Sequence, residues 1–512
     1  MDVDLARLKK RHERAKNARA EVADILDECF EFIQPLRERI YPSGKTRPAD
    51  RLFDATAVTA AEALAASVLK DVWPTDSRPF EIKPGAAIPA EEAKDFALRL
   101  EEEAAGVIQA VNDSNFRAAA LDALRDWIIC DGVLLIEPGT LARPLNFTSL
   151  PIHEAVLDIG PGGVYDALFR ERKMPLSHLP ILWPEGVMSD VLRTRVRDRP
   201  DDEIEITEAN WRDWSQPRET WRYAVWAKAE EQPMVVRSAD GQGSCPFVAF
   251  SYSRRASERI GRGPAQLALA DIRSLNIAVE MMLQHGEMAL SGVWSYDDDG
   301  VINPATITLA PGTLIPKAVG SEGLKNLTPN GDFRFAEYLI DRLTGQVREA
   351  LFWNDLGSLQ RTPRSATELL QRTADRADRM SGAASRLLTE FLQPLVYRAF
   401  WIMGRLAGTS KERRLDGTDA RLRALGPITR AQAQNDIVIF NQFMEVANAR
   451  FGPQATLMSV DTEEAFPWLA ERFGVPTKLV RSETKKKQLA QAVAAAAQAA
   501  SAAEQEPGGM GV

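Results

Sequence analysis

The sequence predicts an α+β protein, mainly helical, in which a compact β-rich stretch interrupts long helices. Three observations carry this. Between residues 132 and 250 the apolar residues fall in short runs separated by Gly and Pro turns, the pattern of strands. Residues 264–290 return to a helical period. Residues 365–407 carry one apolar pattern longer than a usual globular helix, which suits a strut better than a core element.

In chain order, residues 1–40 read as one charged amphipathic helix, with Leu5, Leu8, Val22, Ile25, Leu26, Cys29, Phe30 and Ile33 on its apolar face. Tyr41-Pro-Ser-Gly breaks it, and residues 50–73 form a second helix ended by Trp73-Pro74. Residues 88–130 hold two more helical stretches around residues 112–115. Strand-like runs follow at VLLIEPG, LNFTSLP, EAVLDIGPGG and VYDALFRERK, then through residues 211–226 and 234–250, punctuated by Asp240-Gly241 and Pro246. In residues 264–290, Leu269, Ile272, Leu275, Val279, Met282 and Leu283 form one apolar stripe. Residues 291–330 mix β-type runs with Gly and Pro turns. Residues 332–352 are helical, with Phe335, Leu339, Leu343, Val347 and Leu351 at steps of four.

A Gly/Ser/Pro loop then leads to Ser365 and Glu368, whose S-x-x-E spacing is a capping box that starts the long helix. Its stripe runs through Leu369, Leu370, Met380, Leu387, Leu388, Phe391, Leu392, Leu395, Val396, Met403 and Leu406. Residues 408–426 read as a charged linker. Residues 427–482 are helical with breaks at Gly452-Pro453 and Gly474-Val475-Pro476, and residues 485–503 form an Ala-rich helix before a loose tail. No internal repeat is visible.

The chain has 512 residues, 45% hydrophobic and 26% charged, enough for roughly three to four domain-sized units. Its net charge is −9. Tight nucleic-acid binders neutralise phosphates and are usually basic, so this chain suits surrounding DNA better than gripping it. Cys29, Cys130 and Cys245 are scattered and odd in number, which gives neither a disulfide framework nor a zinc spacing and fits a reducing cytosol. The start of the chain has no apolar signal-like run, and no run approaches a membrane span.

The chemical motifs point away from an enzyme. There is no G-x-x-x-x-G-K-[ST] phosphate loop and no H-E-x-x-H, and His12, His153, His178 and His285 lack ligand spacing, so neither cofactor nor metal is expected. Pro200-Asp201-Asp202-Glu203 resembles the start of a nuclease carboxylate motif but has no E-x-K partner, and reads as a solvated acidic turn. Asp297-Asp298-Asp299-Gly300 lacks the alternating ligands and distal Glu of a calcium loop, and reads as a hairpin turn. Trp211, Trp214, Trp221 and Trp226 suit core and subunit-interface packing rather than base stacking, because aromatic side chains dominate buried interfaces.

The order of elements, and several strings within it, resemble one family. TPRSATELLQR followed by LLTEFLQPLV is similar to the wing helix of the head-to-tail connector (portal) proteins of short-tailed bacteriophages. LFDATAVTAAEALAASVLKDVWP resembles that family's N-terminal signature, carried by Asp54, Thr56, Leu64, Ala65, Trp73 and Pro74. GVLLIEPG with IHEAVLDIGPGGVYDALFRE resembles its wing strands. Gly261, Arg262, Gly263, Pro264, Ala265, Asp271, Ile272, Leu275 and Asn276 are similar to its approach to the first stem helix. RALGPITRAQ and FGVPTKLVRSETKKKQ resemble its crown segments, although Gly426-Pro-Ile-Thr-Arg-Ala-Gln departs from the S-P-L-A-R-A-Q that is common there.

The resemblance implies a portal fold. Residues 1–263 would be N-terminal helices and wing, 264–290 the first stem helix, 291–330 the clip and 331–353 the second stem helix. Residues 354–364 would be the tunnel loop, 365–407 the long wing helix, 408–504 the crown and 505–512 a disordered tail. It also implies a homo-dodecameric ring at one capsid vertex of the virion, assembled in the host cytoplasm. Its partners would be scaffold protein, major capsid protein, the terminase large subunit and a tail adaptor, with double-stranded DNA passing through the channel and no membrane. On this basis Gln360, Arg361 and Arg364 face the channel. Asp271, Arg273, Glu280 and Glu287 are the stem charges, and Asp297, Asp298, Asp299, Lys317 and Lys325 form the clip docking surface. The alternative is a non-enzymatic helical scaffold or adaptor that forms no ring. A metal-dependent nuclease using Asp201, Asp202 and Glu203 is the enzymatic rival.

Overall fold

The computed structural model describes residues 4–35, 51–75, 77–89, 93–228, 230–291, 294–295, 325–326, 333–353, 381–406, 415, 417–425 and 427–473. The chain starts as two helices, α1 (Leu5–Ala20) and α2 (Ala23–Ile33), where the sequence predicts one. Asp4 caps α1 by accepting the Arg7 N–H at 3.0 Å. The turn at Glu21 and Val22 resets the rotation of α2, so Ile25, expected on the apolar face, is exposed while Leu26, Cys29, Phe30 and Ile33 are buried.

The next helix, α3 (Thr56–Val72), buries Ala57, Ala60, Ala61, Leu64 and Ala65. Side chains this small let it close against α5 (Phe116–Ile129). Between them lie β1 (Phe80–Pro84) and α4 (Ala93–Asn112). The Trp73 indole N–H, fully buried, donates to Asn112 Oδ1 at 2.8 Å.

The expected strands follow as β2 (Asp131–Pro138), β3 (Leu145–Ser149), β4 (Ala155–Ile159) and β5 (Tyr165–Pro175). Two short helices come next, α6 (Leu179–Leu182) and α7 (Asp190–Asp198), then β6 (Glu203–Arg212), β7 (Thr220–Ala227), β8 (Val235–Asp240) and β9 (Phe247–Ser251). The sequence reading missed α7, although its signals are present: Ser189 accepts the Leu192 N–H at 3.2 Å, Asp190 opens the helix, and Arg195 and Arg197 close it.

These strands form two antiparallel sheets, β3-β2-β9 and the meander β4-β5-β6-β7-β8. Val133, Leu135, Leu157, Leu168, Trp221 and Phe247 fill the space between them. Alternation along the strands turns Val156, Phe169 and Trp226 to the opposite face, which α1 covers with Leu5, Leu8 and Ala15. Trp221 and Trp226 are therefore core residues, whereas Trp214 is exposed under the Arg212 guanidinium.

Helix α8 (Pro264–Ser291) packs on α9 (Phe333–Ala350) and α2. Strands β10 (Trp294–Ser295) and β11 (Lys325–Asn326) pair between the two helices in chain order. The described part of the long helix comprises α10 (Ser381–Arg386), a π-helical turn (Leu387–Leu392) and α11 (Gln393–Leu406). Its start at Ser365, with Leu369, Leu370 and Met380, lies outside the described residues. One core joins Leu64, Trp127, Phe250, Ile272, Leu275, Val347, Leu351, Phe391 and Leu395.

The expected linker at 408–426 contains β12 (Ala420–Ala424), which pairs antiparallel with β1 so that Phe80 faces Ala424. A pairing this distant in sequence leaves no local signal. Helices α12 (Pro427–Phe451), α13 (Pro453–Ser459) and α14 (Thr462–Arg472) follow, broken at Gly452-Pro453 as expected. Among the described residues no helix is long and apolar enough to cross a membrane.

Candidate functional site

A densely connected polar site lies where β2, β9, the start of α8 and the π-helical turn meet. Asp131 opens β2 opposite Ser251, the last residue of β9. Its buried carboxylate accepts the Gly261 N–H at 2.8 Å and the Tyr165 hydroxyl at 2.9 Å. Glu390, inside the π-helical turn, accepts both the N–H and the hydroxyl of Ser251, at 3.0 and 3.1 Å, on one oxygen. Its other oxygen accepts from Arg386 at 2.9 Å, and Arg386 also donates to the Arg254 carbonyl at 2.7 Å. The Arg254 guanidinium covers the Tyr165 ring at 4.3 Å, which closes the circuit.

Burial pushes the Asp131 carboxyl up to about 7, against the opposing pull of its hydrogen bonds from Gly261 and Tyr165 and of Arg254. Nearby Glu390 adds to the rise. Burial, reinforced by Asp131, also holds the Tyr165 hydroxyl well above its usual range.

Two glycines permit this junction. A Cβ at Gly261 would stand 2.5 Å from Asp131 Oδ1, and one at Gly263 would stand 2.0 Å from the Ile128 carbonyl oxygen. Both belong to the string that the sequence singled out before α8. The Asp54/Thr56 signature meets the same helix further along. Asp54 accepts the Thr56 N–H at 2.8 Å, while the Asn276 side chain accepts the Phe53 N–H at 2.8 Å and donates to the Arg51 carbonyl at 2.9 Å.

A second clasp joins α11 to the sheets. Arg398 is buried and donates to the carbonyls of Ile136 at 3.1 Å, Gly243 at 3.4 Å and Ser244 at 3.2 Å, with its guanidinium 4.5 Å from the Trp401 ring. Burial lowers it to about 10. Trp401 Nε1–H donates to the Asp240 carbonyl at 3.0 Å. A third clasp seats α1: Asp158 accepts from Arg11 at 2.7 Å and Arg259 at 2.9 Å, and Arg11 also pairs with Asp166.

Of the stem charges expected from the sequence, Arg273 does not stand free: its guanidinium donates to both oxygens of Glu28 on α2, at 2.8 and 2.6 Å. Asp271 and Glu280 are half-buried and Glu287 is exposed. Lys325 lies in β11 opposite Ser295. Gln360, Arg361, Arg364, Asp297, Asp298, Asp299 and Lys317 lie outside the described residues. Asp201, Asp202 and Glu203 are exposed at the approach to β6, and among the described residues no cluster of His, Cys, Asp and Glu is set to hold a metal. Cys29 and Cys245 are pushed up to about 12 by burial, which keeps both as thiols.

The junction at Asp131 and Glu390 was not legible beforehand. Gly261 and Gly263 entered only as part of the string resembling the family's approach to the first stem helix, and the π-helical turn keeps the same apolar spacing as an ordinary helix.

Comparison with known proteins places these features in context. The family described as bacteriophage head to tail connecting protein matches residues 5–480. The portal protein of Escherichia phage T7 is 22% identical over 299 residues, which cover 57% of this chain and 53% of that protein. The portal protein of Enterobacteria phage T3 is 21% identical over 298 residues, with the same coverage. The chain thus spans about half the length of the curated relatives it matches. Among solved structures, a chain from the virion of a native gene transfer agent particle and one from the neck of an empty particle of that kind each give a TM-score of 0.34 at 13% identity. Each covers 83% of this chain and 90% of its own.

Proposed function

The chain belongs to the bacteriophage head to tail connecting protein family, and from that premise we propose that it is a portal subunit. Twelve copies would close a ring at one capsid vertex, nucleate procapsid assembly with scaffold and major capsid protein, and dock the terminase large subunit. The ring would conduct and retain double-stranded DNA and later bind a tail adaptor. The family match along residues 5–480 carries this reading, and it is supported by a helix pair, α8 and α9, that presents apolar side chains to solvent in the isolated subunit. Closure would be head-to-tail, through stem and wing faces of each subunit.

The physical logic is a conduit. DNA must slide, so the wall offers few lasting contacts, and a chain of net charge −9 supplies an acidic wall. Gln360, Arg361 and Arg364 would touch phosphates transiently from the tunnel loop, while Asp271, Glu280 and Glu287 add negative charge to the stem. Residues 291–330, with Asp297, Asp298, Asp299, Lys317 and Lys325, would be the outward docking site. Deleting that segment is expected to abolish adaptor capture in a pull-down, and unchanged capture would reject the assignment.

Light scattering after size exclusion, with negative-stain images, tests the whole reading. A dodecamer has a mass of about 680 kDa, twelve times the 56.7 kDa chain, and a central hole. A chain that stays monomeric with scaffold and capsid subunits present would instead be an adaptor.

A further inference from the structure

Helix α12 has two apolar faces, and among the described residues only one of them is covered. Ile437 and Ala447 are buried, and the Phe440 ring meets that of Trp468 on α14 with centroids 5.2 Å apart. Ile439, Phe443 and Val446, four and three residues apart, are 56%, 57% and 56% exposed. At 100° per residue these three fall within about 60° of one another and form one seam along two turns. Asp436 flanks its start, Arg450 stands in line with its far end, and Glu445 lies about 130° round the helix. Three large apolar side chains held open on one helix face call for a partner.

The chain that follows α14 carries the matching pattern. Residues 474–503 hold five lysines and arginines against one carboxylate, whereas residues 427–473 hold six carboxylates against three arginines. Within the Ala-rich stretch predicted to be helical, Leu489, Val493 and Ala496 repeat the four-then-three spacing of the seam. Ala500 continues that stripe, and Lys487, Gln491 and Gln498 fall on the opposite side of the helix. The alanines leave shallow places into which a side chain as large as Phe443 can pack. The chain also leaves α14 at the right end of α12. Arg472 pairs with Asp436 at 2.6 Å, four residues on from the Phe440–Trp468 contact in each direction, so α14 runs antiparallel to α12 and ends beside the start of the seam. Residues 474–484, fully extended, reach about 36–40 Å, which is ample for a turn into a third helix parallel to α12.

We infer that residues 485–503 seat on the Ile439/Phe443/Val446 seam of their own chain, parallel to α12, with Leu489 beside Ile439 and Val493 beside Phe443. In that direction Lys485 and Lys486 come level with Asp436, and Glu504 lies toward the Arg450 end. The reverse direction brings like charges together at both ends. This contact does not depend on the ring reading.

The test places a benzophenone amino acid at Phe443 of the full-length protein, and separately at Ile439, irradiates each, and reads the products by denaturing gel and mass spectrometry. Products at the mass of a single chain are expected, joined to residues 490–497 from Phe443 and nearer Leu489 from Ile439. Products at twice that mass would show that a second copy covers the seam, and products joined to other residues, or none at all, would show another occupant or an open face. Each of these overturns the proposal, and a reversed order of the two positions overturns the parallel seating. Val493→Glu is expected to lower the cross-link yield about tenfold, because it sets a carboxylate against Phe443. Gln498→Glu, on the far side of the same helix, is expected to keep it. Glutamate favours helix at both positions, so equal effects of the two variants, or no loss in the first, reject the seating.

Discussion

Asp131 shows how one buried side chain sets a pH response. Its carboxyl titrates near 7 when folded, against an ordinary value of 3.8. The folded state therefore binds more protons than the unfolded chain between those values, so stability falls as pH rises from about 4 to about 7 and then levels off. Each unit of such a shift is worth about 1.4 kcal/mol. Asp131→Asn can still accept from Gly261 and donate to Tyr165, so it is expected to flatten that slope in urea unfolding at pH 5 and 7.5. Asp131→Ala leaves both partners stranded and is expected to lose about 1–3 kcal/mol at either pH. Arg398 poses a similar question. Arg398→Ala strands three buried carbonyls and is expected to cost about 3 kcal/mol or more. Arg398→Lys should recover only part of that, because an ammonium cannot both fork between carbonyls and stack on Trp401. Thermal melts of the two variants separate these outcomes. Neither residue stood out in the sequence, where Asp131 ends a helical run and Arg398 is one of many arginines.

At the scale of elements, periodicity carried most of the fold, and its failures have identifiable causes. Five residues at steps of four drift 40° per step, so Phe335 and Leu339 end on the outer side of α9 while Val347 and Leu351 are buried. In α8, Leu283 leaves the expected stripe and is exposed. The π-helical turn is a weaker hydrogen-bonding geometry that needs outside support. It receives that support from Ser251 through Glu390 and from Phe250, whose ring lies 4.5 Å from Phe391. Neither partner is local, so no window of sequence could reveal the turn. The β1–β12 pairing escaped for the same reason. Leu422→Pro, opposite Ile82, is expected to raise amide exchange across Phe80–Pro84 while leaving the five-stranded meander protected. Uniform loss of protection throughout would show that this ladder is essential to the whole fold.

For the whole molecule, the clasps at Asp131, Arg398 and Asp158 tie the approach to α8, α11 and α1 to the same pair of sheets, so these three helices share one β platform. The portal reading adds a channel to that platform. Replacing Arg361 and Arg364 together with Ala is expected to leave ring mass unchanged and to lower packaged DNA, measured as nuclease-protected genome per particle. Full packaging by the double variant would remove the tunnel loop from the DNA path.

The β1–β12 ladder also has a consequence for synthesis. Glu81 and Arg423, which bridge it at 3.3 Å, are 342 residues apart. At about 5–20 residues per second, the first strand waits on the ribosome for roughly 20–70 s before its partner exists. During that interval it is an open edge beside other nascent copies of the same chain. Its sequence, Phe-Glu-Ile-Lys-Pro, alternates charge with apolar residues and ends in proline, features that discourage a stray strand from pairing there. The ladder closes only after residue 424 has been made, so a product truncated before it would keep its first strand unpaired.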